Sequence, residues 1–273
     1  MFALVAKDLD KSSLAANGCL PMETREAAHK VHAQGTKLVV ATGRPWRRVK
    51  QLIEGLPIHA AICNNGITIV DPATQEFIAW SQFERDITNQ IVQFARKREL
   101  GILMMRYPRR GEAMRKDTFF EGPIDDRIRD LLTGFIHVEP IMTKDILSLP
   151  YLPCRLGLFP ATEQAQEIYA ELKLLLGEDY WVLLYQSPAW MIEILPRHAN
   201  KWWRLAQIAE KLGVEHHRIL SFGDDVNDER MLQMTHGVAM HHAPEAVRLV
   251  AKEVVDYEDG LGVARALHRH FRL

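Results

Sequence analysis

The chain has 273 residues, 47% of them hydrophobic and 25% charged, a composition typical of one large or two smaller globular domains rather than of a disordered chain. Its 34 Lys and Arg residues nearly balance its 35 Asp and Glu residues, so no global electrostatic field draws it to nucleic acid or to anionic membranes. The three cysteines form no CxxC pair, and the sequence has neither a cationic leader nor a run of ~20 apolar residues. We therefore expect a cytoplasmic protein without a disulfide framework, a thiolate zinc site or a membrane span.

Five short apolar runs predict strands that are buried on both faces, as in a parallel sheet. Each run is followed at once by small or polar residues. The runs are FALVA before Lys7-Asp8, KLVVA before Thr42-Gly43-Arg44, AAIC before Asn64-Asn65-Gly66, RILSF before Gly223-Asp224, and GVAM before His241-His242.

Helical patterns lie between these runs, at residues 23–34, 45–54, 202–212 and 228–234, with Pro45 placed as the first residue of its helix. The alternation of strand and helix predicts a doubly wound parallel α/β domain. Ligands bind such sheets at the carboxyl ends of the strands, which is where every polar cluster falls.

The middle of the chain has a different pattern. The predicted elements are a helix at 87–98, a strand at 102–107, a basic loop at 108–116, a helix at 125–133, a strand at 155–159, a helix at 162–176, and strands at 181–186 and 191–195. Strands followed by polar clusters lie on both sides of this segment in sequence. We therefore predict an α+β domain, residues 83–190, inserted into a core formed by residues 1–82 and 191–273.

Neither GxxxxGK[ST] nor GxGxxG occurs, so a Walker loop and a dinucleotide fingerprint are not supported. Aspartates instead follow two of the predicted strands. Asp8 and Asp10 are separated by one residue, which lets both carboxylates point the same way, and Asp224 and Asp228 follow a later strand. Carboxylate oxygens of this kind form a hard-oxygen site that suits Mg²⁺.

Four motifs in chain order resemble those of the haloacid dehalogenase (HAD) superfamily of phosphohydrolases. They are Asp8-Leu9-Asp10, Thr42-Gly43-Arg44, Lys201, and Gly223-Asp224-Asp225-Val226-Asn227-Asp228. Asn64-Asn65-Gly66 and the strand at 237–240 further resemble the Cof-type branch, which carries a large inserted α+β cap. The resemblance implies a Rossmann-like core with a cap, acting as a Mg²⁺-dependent phosphatase on a small phosphorylated metabolite such as a sugar phosphate.

The resemblance also implies residue roles. Asp8 would be the nucleophile that forms an aspartyl-phosphate, and Asp10 would protonate the leaving oxygen and then activate water. Lys201 would offset the charge that gathers in the transition state. Mg²⁺ would be bound by Asp8, the backbone carbonyl of Asp10 and Asp224, supported by Asn227 and Asp228. Substrate contacts would come from Thr42, Gly43, Arg44, Asn65, Lys201 and Asn227.

Single residues also have simpler explanations. Thr42 suits a helix cap and Lys201 a surface lysine that opens a helix, and only the order of the motifs favours the site. The pairs His216-His217 and His241-His242 lack the spacing of a helical zinc site, so we expect solvent-facing imidazoles. Trp202-Trp203 is expected to pack a helix start.

Two positions directly after Asp10 depart from the family pattern. Lys11 stands where the superfamily usually has glycine, and Ser12 stands where it usually has threonine. Lys11 motivates one alternative, a non-catalytic module that binds a phosphorylated ligand. A second alternative is a phosphomutase that resembles phosphomannomutases. The basic side chains of loop 108–116 are solvated or bind a second anionic group of the substrate; they are Arg109, Arg110, Arg115 and Lys116. We expect a monomer or a small homo-oligomer.

Overall fold

The computed structural model describes residues 2–106, 117–135, 139–186, 189–256 and 258–273. It divides into two compact units, the first formed by Met1–Ala79 with His198–Leu273 and the second by Trp80–Arg197. The basic loop 108–116, with its arginines and Lys116, lies outside the described residues.

Fourteen strands occur within the described ranges. In chain order they are β1 (Leu4–Lys7), β2 (Lys37–Ala41), β3 (Ile58–Cys63), β4 (Thr68–Asp71), β5 (Glu76–Trp80), β6 (Gly101–Met105), β7 (Thr118–Glu121), β8 (Ile141–Met142), β9 (Arg155–Phe159), β10 (Tyr180–Tyr185), β11 (Met191–Pro196), β12 (Ile219–Gly223), β13 (His236–Met240) and β14 (Glu253–Val255).

Nine α-helices occur within the same described ranges. They are α1 (Met22–Ala33), α2 (Trp46–Val49), α3 (Arg85–Arg96), α4 (Asp126–Asp130), α5 (Ala165–Leu176), α6 (Lys201–Lys211), α7 (Glu229–Met234), α8 (Glu245–Val250) and α9 (Leu261–Phe271).

The first unit is built on an eight-stranded sheet with the order β14-β13-β12-β1-β2-β3-β4-β5. The first six strands of this order, from β14 to β3, are parallel to one another, and β4 pairs antiparallel with β3. All five strands predicted from the apolar runs are therefore adjacent and parallel, and the doubly wound fold class is confirmed.

Apolar layers cover both faces of this sheet. Alternate strand residues such as Val5 and Val40 belong to one cluster with α1 and α9. Their neighbours Leu4 and Val39 belong to a second cluster with α6. Because successive side chains of a strand point to opposite faces, strands buried on both sides are apolar throughout, which is the pattern seen in the sequence.

The second unit contains a six-stranded sheet with the order β10-β11-β9-β6-β7-β8. Its pairings are antiparallel apart from that between β7 and β8. Helices α3 and α5 pack in one apolar cluster with the sheet, and α4 packs in another. This α+β arrangement agrees with the pattern of elements expected for the middle segment.

Several element bounds differ from expectation. The helix expected at 45–54 is limited to α2, because residues 50–55 form turns, and Pro45 precedes the helix instead of opening it. Strand β11 pairs with β9 and β10, so it belongs to the second unit, whereas the sequence placed residues from 191 onward in the core. Within the described residues, none of the helices has the length and apolar character needed to cross a membrane.

Candidate active site

The site of the first unit is formed by residues that directly follow neighbouring parallel strands. Asp8 follows β1 and its N–H donates to the carbonyl of Phe222 at 3.0 Å. Thr42 follows β2 and its N–H donates to the carbonyl of Ile62 at 2.9 Å. Asp224 follows β12, the other neighbour of β1. Because the carboxyl ends of parallel strands meet at one edge of the sheet, these distant sequence segments converge.

Asp8 is buried, with 3% of its surface exposed. Its Oδ1 accepts a hydrogen bond from Lys201 Nζ at 2.8 Å, and its Oδ2 accepts one from Ser12 Oγ at 3.1 Å. The hydroxyl of Ser13 donates to the Asp8 backbone carbonyl at 2.5 Å. Hydrogen bonds to both carboxylate oxygens thus hold the Asp8 side chain in one orientation.

Lys201 is the buried cation of the site and not a surface lysine, since only 1% of it is exposed. It opens α6, whose start is capped by Asn200 Oδ1 accepting from the Trp203 N–H at 2.7 Å. Besides Asp8, its Nζ donates to Asp228 Oδ1 at 2.8 Å and to Asn227 Oδ1 at 3.3 Å. Lys201 therefore links the first and last motifs of the sequence.

Asp228 lies against the end of β12. Its Oδ2 accepts from the backbone N–H groups of Asp224 and Asp225 at 3.2 and 3.3 Å. A Cβ atom at Gly223 would lie 2.5 Å from the Asp228 side chain, so only glycine permits this approach. Both oxygens of Asp228 are consequently engaged in hydrogen bonds within the protein.

Asp224 completes a cluster of three buried carboxylates. One oxygen from each of Asp8, Asp224 and Asp228 lies within 4.8 Å of the others. Asp224 also contacts a histidine: Nε2 of His242 lies 3.4 Å from Asp224 Oδ2. The acidic groups that the sequence placed at two strand ends are therefore brought together.

Burial shapes the electrostatics of this cluster. Desolvation raises the pKa of Asp8 to about 7, against the opposing effect of Lys201. Desolvation and the Asp8 charge raise the pKa of Asp224 to about 6, and desolvation also raises the pKa of Asp228. Burial alone would lower the pKa of Lys201, but Asp228 and Asp8 raise it above its usual value. The single ammonium group of Lys201 thus compensates only part of the negative charge that the three acids carry when ionised.

The donor set fits a divalent cation. Three carboxylates that share one ammonium leave an excess of two negative charges when all are ionised. A hard dication with oxygen ligands would supply the counter-charge that the cluster needs. Asp8 and Asp224 have the carboxylates best suited to it, because Asp228 is engaged by Lys201 and by two backbone N–H groups.

Asp10 is oriented differently from Asp8. Its side chain is 49% exposed and forms a two-pronged ion pair with Arg44, in which Nε lies 3.0 and 2.9 Å from the two carboxylate oxygens and a terminal guanidinium nitrogen contacts Oδ1. This ion pair raises the pKa of Arg44. Arg44, expected to contact substrate, is therefore bonded to the predicted acid in this structure.

The segment after β2 is joined to the segment after β3. Arg44 N–H donates to Thr42 Oγ1 at 3.1 Å, and the Asn65 N–H donates to the Thr42 carbonyl at 3.1 Å. A Cβ at Gly43 would lie 3.0 Å from Asn65 Oδ1, which accepts from Asn227 Nδ2 at 3.0 Å. Asn227 thus bridges Asn65 and Lys201. Every residue predicted for the site lies in this connected network.

Lys11 is exposed and has φ of +50°, in the left-handed region that favours glycine. This conformation is the physical reason why glycine suits the position. Although Lys11 directly follows Asp10 in sequence, the ion pair that the structure shows for Asp10 is with Arg44.

His242 is a further neighbour of the acidic cluster, and its contact with Asp224 was not predicted. Its ring is partly exposed as expected, yet it contacts Asp224. His242 lies just beyond the carboxyl end of β13, so the strand-end rule that found the aspartates also applies to it. His216 and His217 are exposed, and Trp203 stacks on His198 with ring centroids 4.3 Å apart.

The geometry agrees with comparisons to known proteins. A family model described as haloacid dehalogenase-like hydrolase matches residues 5–267. The chain belongs to this family. The resemblance carried by the four motifs is thereby confirmed, and the protein is a hydrolase of the HAD superfamily.

Relatives span almost the whole length of this HAD-family chain. The 5-amino-6-(5-phospho-D-ribitylamino)uracil phosphatase YitU of Bacillus subtilis is 23% identical, covering 99% of this chain and 98% of its own. Among solved structures, BT1666 of Bacteroides thetaiotaomicron has a TM-score of 0.79 at 21% identity, covering 100% of this chain and 96% of its own. The HAD subclass IIB sugar phosphatase BT4131 has a TM-score of 0.72 at 22% identity, covering 98% of both chains. These structures share the fold of the present protein.

Proposed function

We propose that this HAD-family hydrolase is a Mg²⁺-dependent phosphatase that hydrolyses a small phosphorylated metabolite through an aspartyl-phosphate on Asp8. The observation that carries the proposal is the buried Asp8 carboxylate, bonded to Lys201 and Ser12 and grouped with Asp224 and Asp228. A nucleophilic carboxylate held in place beside a buried ammonium suits attack on an anionic phosphoryl group.

In the first step, an Asp8 oxygen forms a bond to phosphorus while the bond from phosphorus to the ester oxygen breaks. Asp10 donates its proton to the departing oxygen, so an alcohol leaves. Lys201, already 2.8 Å from Asp8, stabilises the negative charge that develops on the phosphoryl oxygens. Since Arg44 is bonded to Asp10, substrate binding would have to separate this pair before Asp10 acts as an acid.

In the second step, Asp10 takes a proton from water, and the water oxygen attacks phosphorus. The bond between phosphorus and the Asp8 oxygen breaks, which releases inorganic phosphate and restores the Asp8 carboxylate. Thr42 and the backbone N–H groups around Gly43 would orient the phosphoryl oxygens.

Asp8, Asp224 and the backbone carbonyl of Asp10 would bind Mg²⁺, and Asn227 and Asp228 would support it through their contacts with Lys201 and the backbone. When bound, the ion would supply positive charge that stabilises the phosphoryl oxygens. The role of the second unit as a substrate-selecting cap stays a prediction.

The proposal is tested by phosphate release from a panel of phosphorylated metabolites. Sugar phosphates and 5-amino-6-(5-phospho-D-ribitylamino)uracil are the first choices, given the activities of BT4131 and YitU. We expect release with Mg²⁺ and its loss on chelation with EDTA. Binding without turnover across the whole panel would instead support the non-catalytic alternative, and phosphoryl transfer to a second sugar hydroxyl without phosphate release would support the mutase alternative.

The acid role of Asp10 predicts a dependence on the leaving group. We expect Asp10→Asn to lower kcat/KM for an alkyl phosphate by roughly 10²–10⁴-fold, because the departing alkoxide needs a proton. The loss in kcat/KM should be smaller for p-nitrophenyl phosphate, whose phenolate leaves without one; kcat also contains the second step, which is common to both substrates. Steady-state kinetics with both substrates check this, and equal losses in kcat/KM for the two would mean that Asp10 is not the acid of the first step.

The raised pKa of Asp224 predicts a pH-dependent stability. In metal-free protein this group stabilises the fold fully below about pH 4, and the contribution is lost as the pH rises through about 6. In EDTA at pH 7.5 we therefore expect Asp224→Asn to unfold at the same or a higher temperature than the wild type. Mg²⁺ should raise the Tm of the wild type and not that of the variant.

The matched control for this measurement is Asp86→Asn, a change of an exposed aspartate in α3. It should respond to Mg²⁺ as the wild type does. A variant at Asp224 that is less stable than the wild type in EDTA and gains the full Mg²⁺ shift would contradict the assignment.

A further inference from the structure

A second group of metal-ligating side chains lies in the first unit, apart from Asp8. His236 and Glu253 begin β13 and β14, and His270 lies near the end of α9. The Asp8 and Asp224 cluster is at the carboxyl ends of this parallel sheet, so the amino ends of β13 and β14 lie at the opposite edge. The two groups are therefore separate.

The donor atoms of this group converge on one carboxylate oxygen. Glu253 Oε2 is 2.9 Å from His270 Nε2 and 3.9 Å from His236 Nε2, and the three ligand atoms all lie within 4.8 Å of one another. Ligand atoms around a tetrahedral ion with bonds of ~2.1 Å lie about 3.4 Å apart. The observed separations bracket that value, so small side-chain movements suffice to bind an ion.

Neighbouring groups fix the orientation of the ligands. The Phe2 ring packs against the His236 and His270 rings, with centroids 5.1 and 5.4 Å away, and the two imidazoles meet edge to face at 5.2 Å. Arg269 forms an ion pair with Oε1 of Glu253, which leaves Oε2 for another partner. Outer contacts of this type orient the ligands of metal sites in general.

The chemistry of the donor set indicates the class of metal ion. Neutral imidazole nitrogens with one carboxylate are ligands for zinc and similar ions, whereas Mg²⁺ prefers oxygen alone.

A hydrogen bond from His270 to Glu253 would explain the 2.9 Å contact by itself. It does not account for His236 Nε2, which lies 3.9 Å from the same oxygen, beyond hydrogen-bond range. We propose that His236, Glu253 and His270 bind a divalent cation of the zinc class. Two imidazoles and a carboxylate leave at least one coordination position for water.

A surface groove lies beside His236. A surface groove of about 810 Å³ is lined by His236, Thr235, Lys252 and His216, among others. The charges of Lys252 and Arg269 oppose a cation, so we expect a dissociation constant of roughly micromolar order instead of the tighter values of fully anionic sites. An ion here would join β13, β14 and α9.

The test is a Zn²⁺ titration of the full chain after EDTA treatment, in competition with a chromogenic chelator. We compare the wild type with His236→Gln, His270→Gln and the matched control His59→Gln, an exposed histidine of β3, four strands away from β13 in the sheet. Any Zn²⁺ bound near Asp8 is common to all four proteins. We expect the first two variants to lose one equivalent, with affinity reduced at least about 100-fold, and the control to bind as the wild type does.

Equal stoichiometry and affinity in all four proteins would overturn the proposal. A second measurement guards against a variant that fails to fold. In wild-type protein, one equivalent of Zn²⁺ should shift the imidazole ¹H–¹⁵N resonances of His236 and His270 and leave those of His59 in place. If the His236 and His270 resonances do not move, the site does not exist. Neither result bears on the phosphatase proposal.

Discussion

Asp8→Asn is expected to reduce phosphate release by at least about 10⁴-fold, the largest effect of any single substitution in this chain. The amide keeps the shape of the side chain and still accepts from Lys201 or Ser12, but it lacks the anionic oxygen that attacks phosphorus. The measurement is kcat for p-nitrophenyl phosphate with saturating Mg²⁺, together with the KM for the best metabolite of the panel.

The control is Asp86→Asn, which alters an exposed aspartate of the second unit by the same chemistry. It should retain wild-type rates. If Asp8→Asn remained folded, as judged by circular dichroism, and kept a rate within tenfold of the wild type, another group would have to be the nucleophile.

Lys201→Met is expected to affect both rate and stability. It leaves Asp8 and Asp228 buried without their ammonium partner, and breaking buried pairs of this kind costs about 3–5 kcal/mol of unfolding free energy. Loss of the positive charge beside the reacting phosphoryl group should lower kcat by roughly 10²–10³-fold. Denaturant unfolding and steady-state kinetics measure the two effects separately.

Two further variants separate these roles. Lys211→Met removes an exposed lysine at the other end of α6 and should leave both quantities near wild type. Adding Asp228→Asn to Lys201→Met removes one unpaired carboxylate, so we expect stability to recover in part while kcat stays below that of Asp228→Asn alone. A double variant with the kcat of Asp228→Asn would mean that Lys201 acts only through folding.

The core sheet and the position of its site could be predicted because they follow from local patterns. Apolar runs without alternation are required by strands buried on both faces, and the polar residues that end them must meet at one edge once the strands are parallel. Asp8, Thr42, Asn65 and Asp224 converge for this reason.

Side-chain partners could not be predicted in the same way. The i, i+2 spacing of Asp8 and Asp10 allows both to face one group, yet β1 ends at Lys7, so alternation no longer sets the direction of Asp10. The half-exposed Asp10 carboxylate instead pairs with Arg44, and this pairing depends on the position of the next strand end. The contact of His242 with Asp224 likewise depends on the order of strands in the sheet.

Some element bounds also differ from the sequence pattern. The helix after Pro45 ends at Val49 and residues 50–55 form turns, although the helical pattern continues to residue 54. Strand β11 has an apolar run like those of the core strands, but its partners are β9 and β10 of the second unit. A run of apolar residues indicates a buried strand without identifying the sheet that it joins.

The central claim is that the phosphoryl group passes through Asp8 before it reaches water, and the stereochemical course at phosphorus tests it most directly. A phosphorothioate ester of defined chirality is hydrolysed in isotopically labelled water, and the configuration of the released thiophosphate is determined. Two successive in-line displacements, first by Asp8 and then by water, predict net retention. Net inversion would mean that water attacks the substrate directly and would contradict the account.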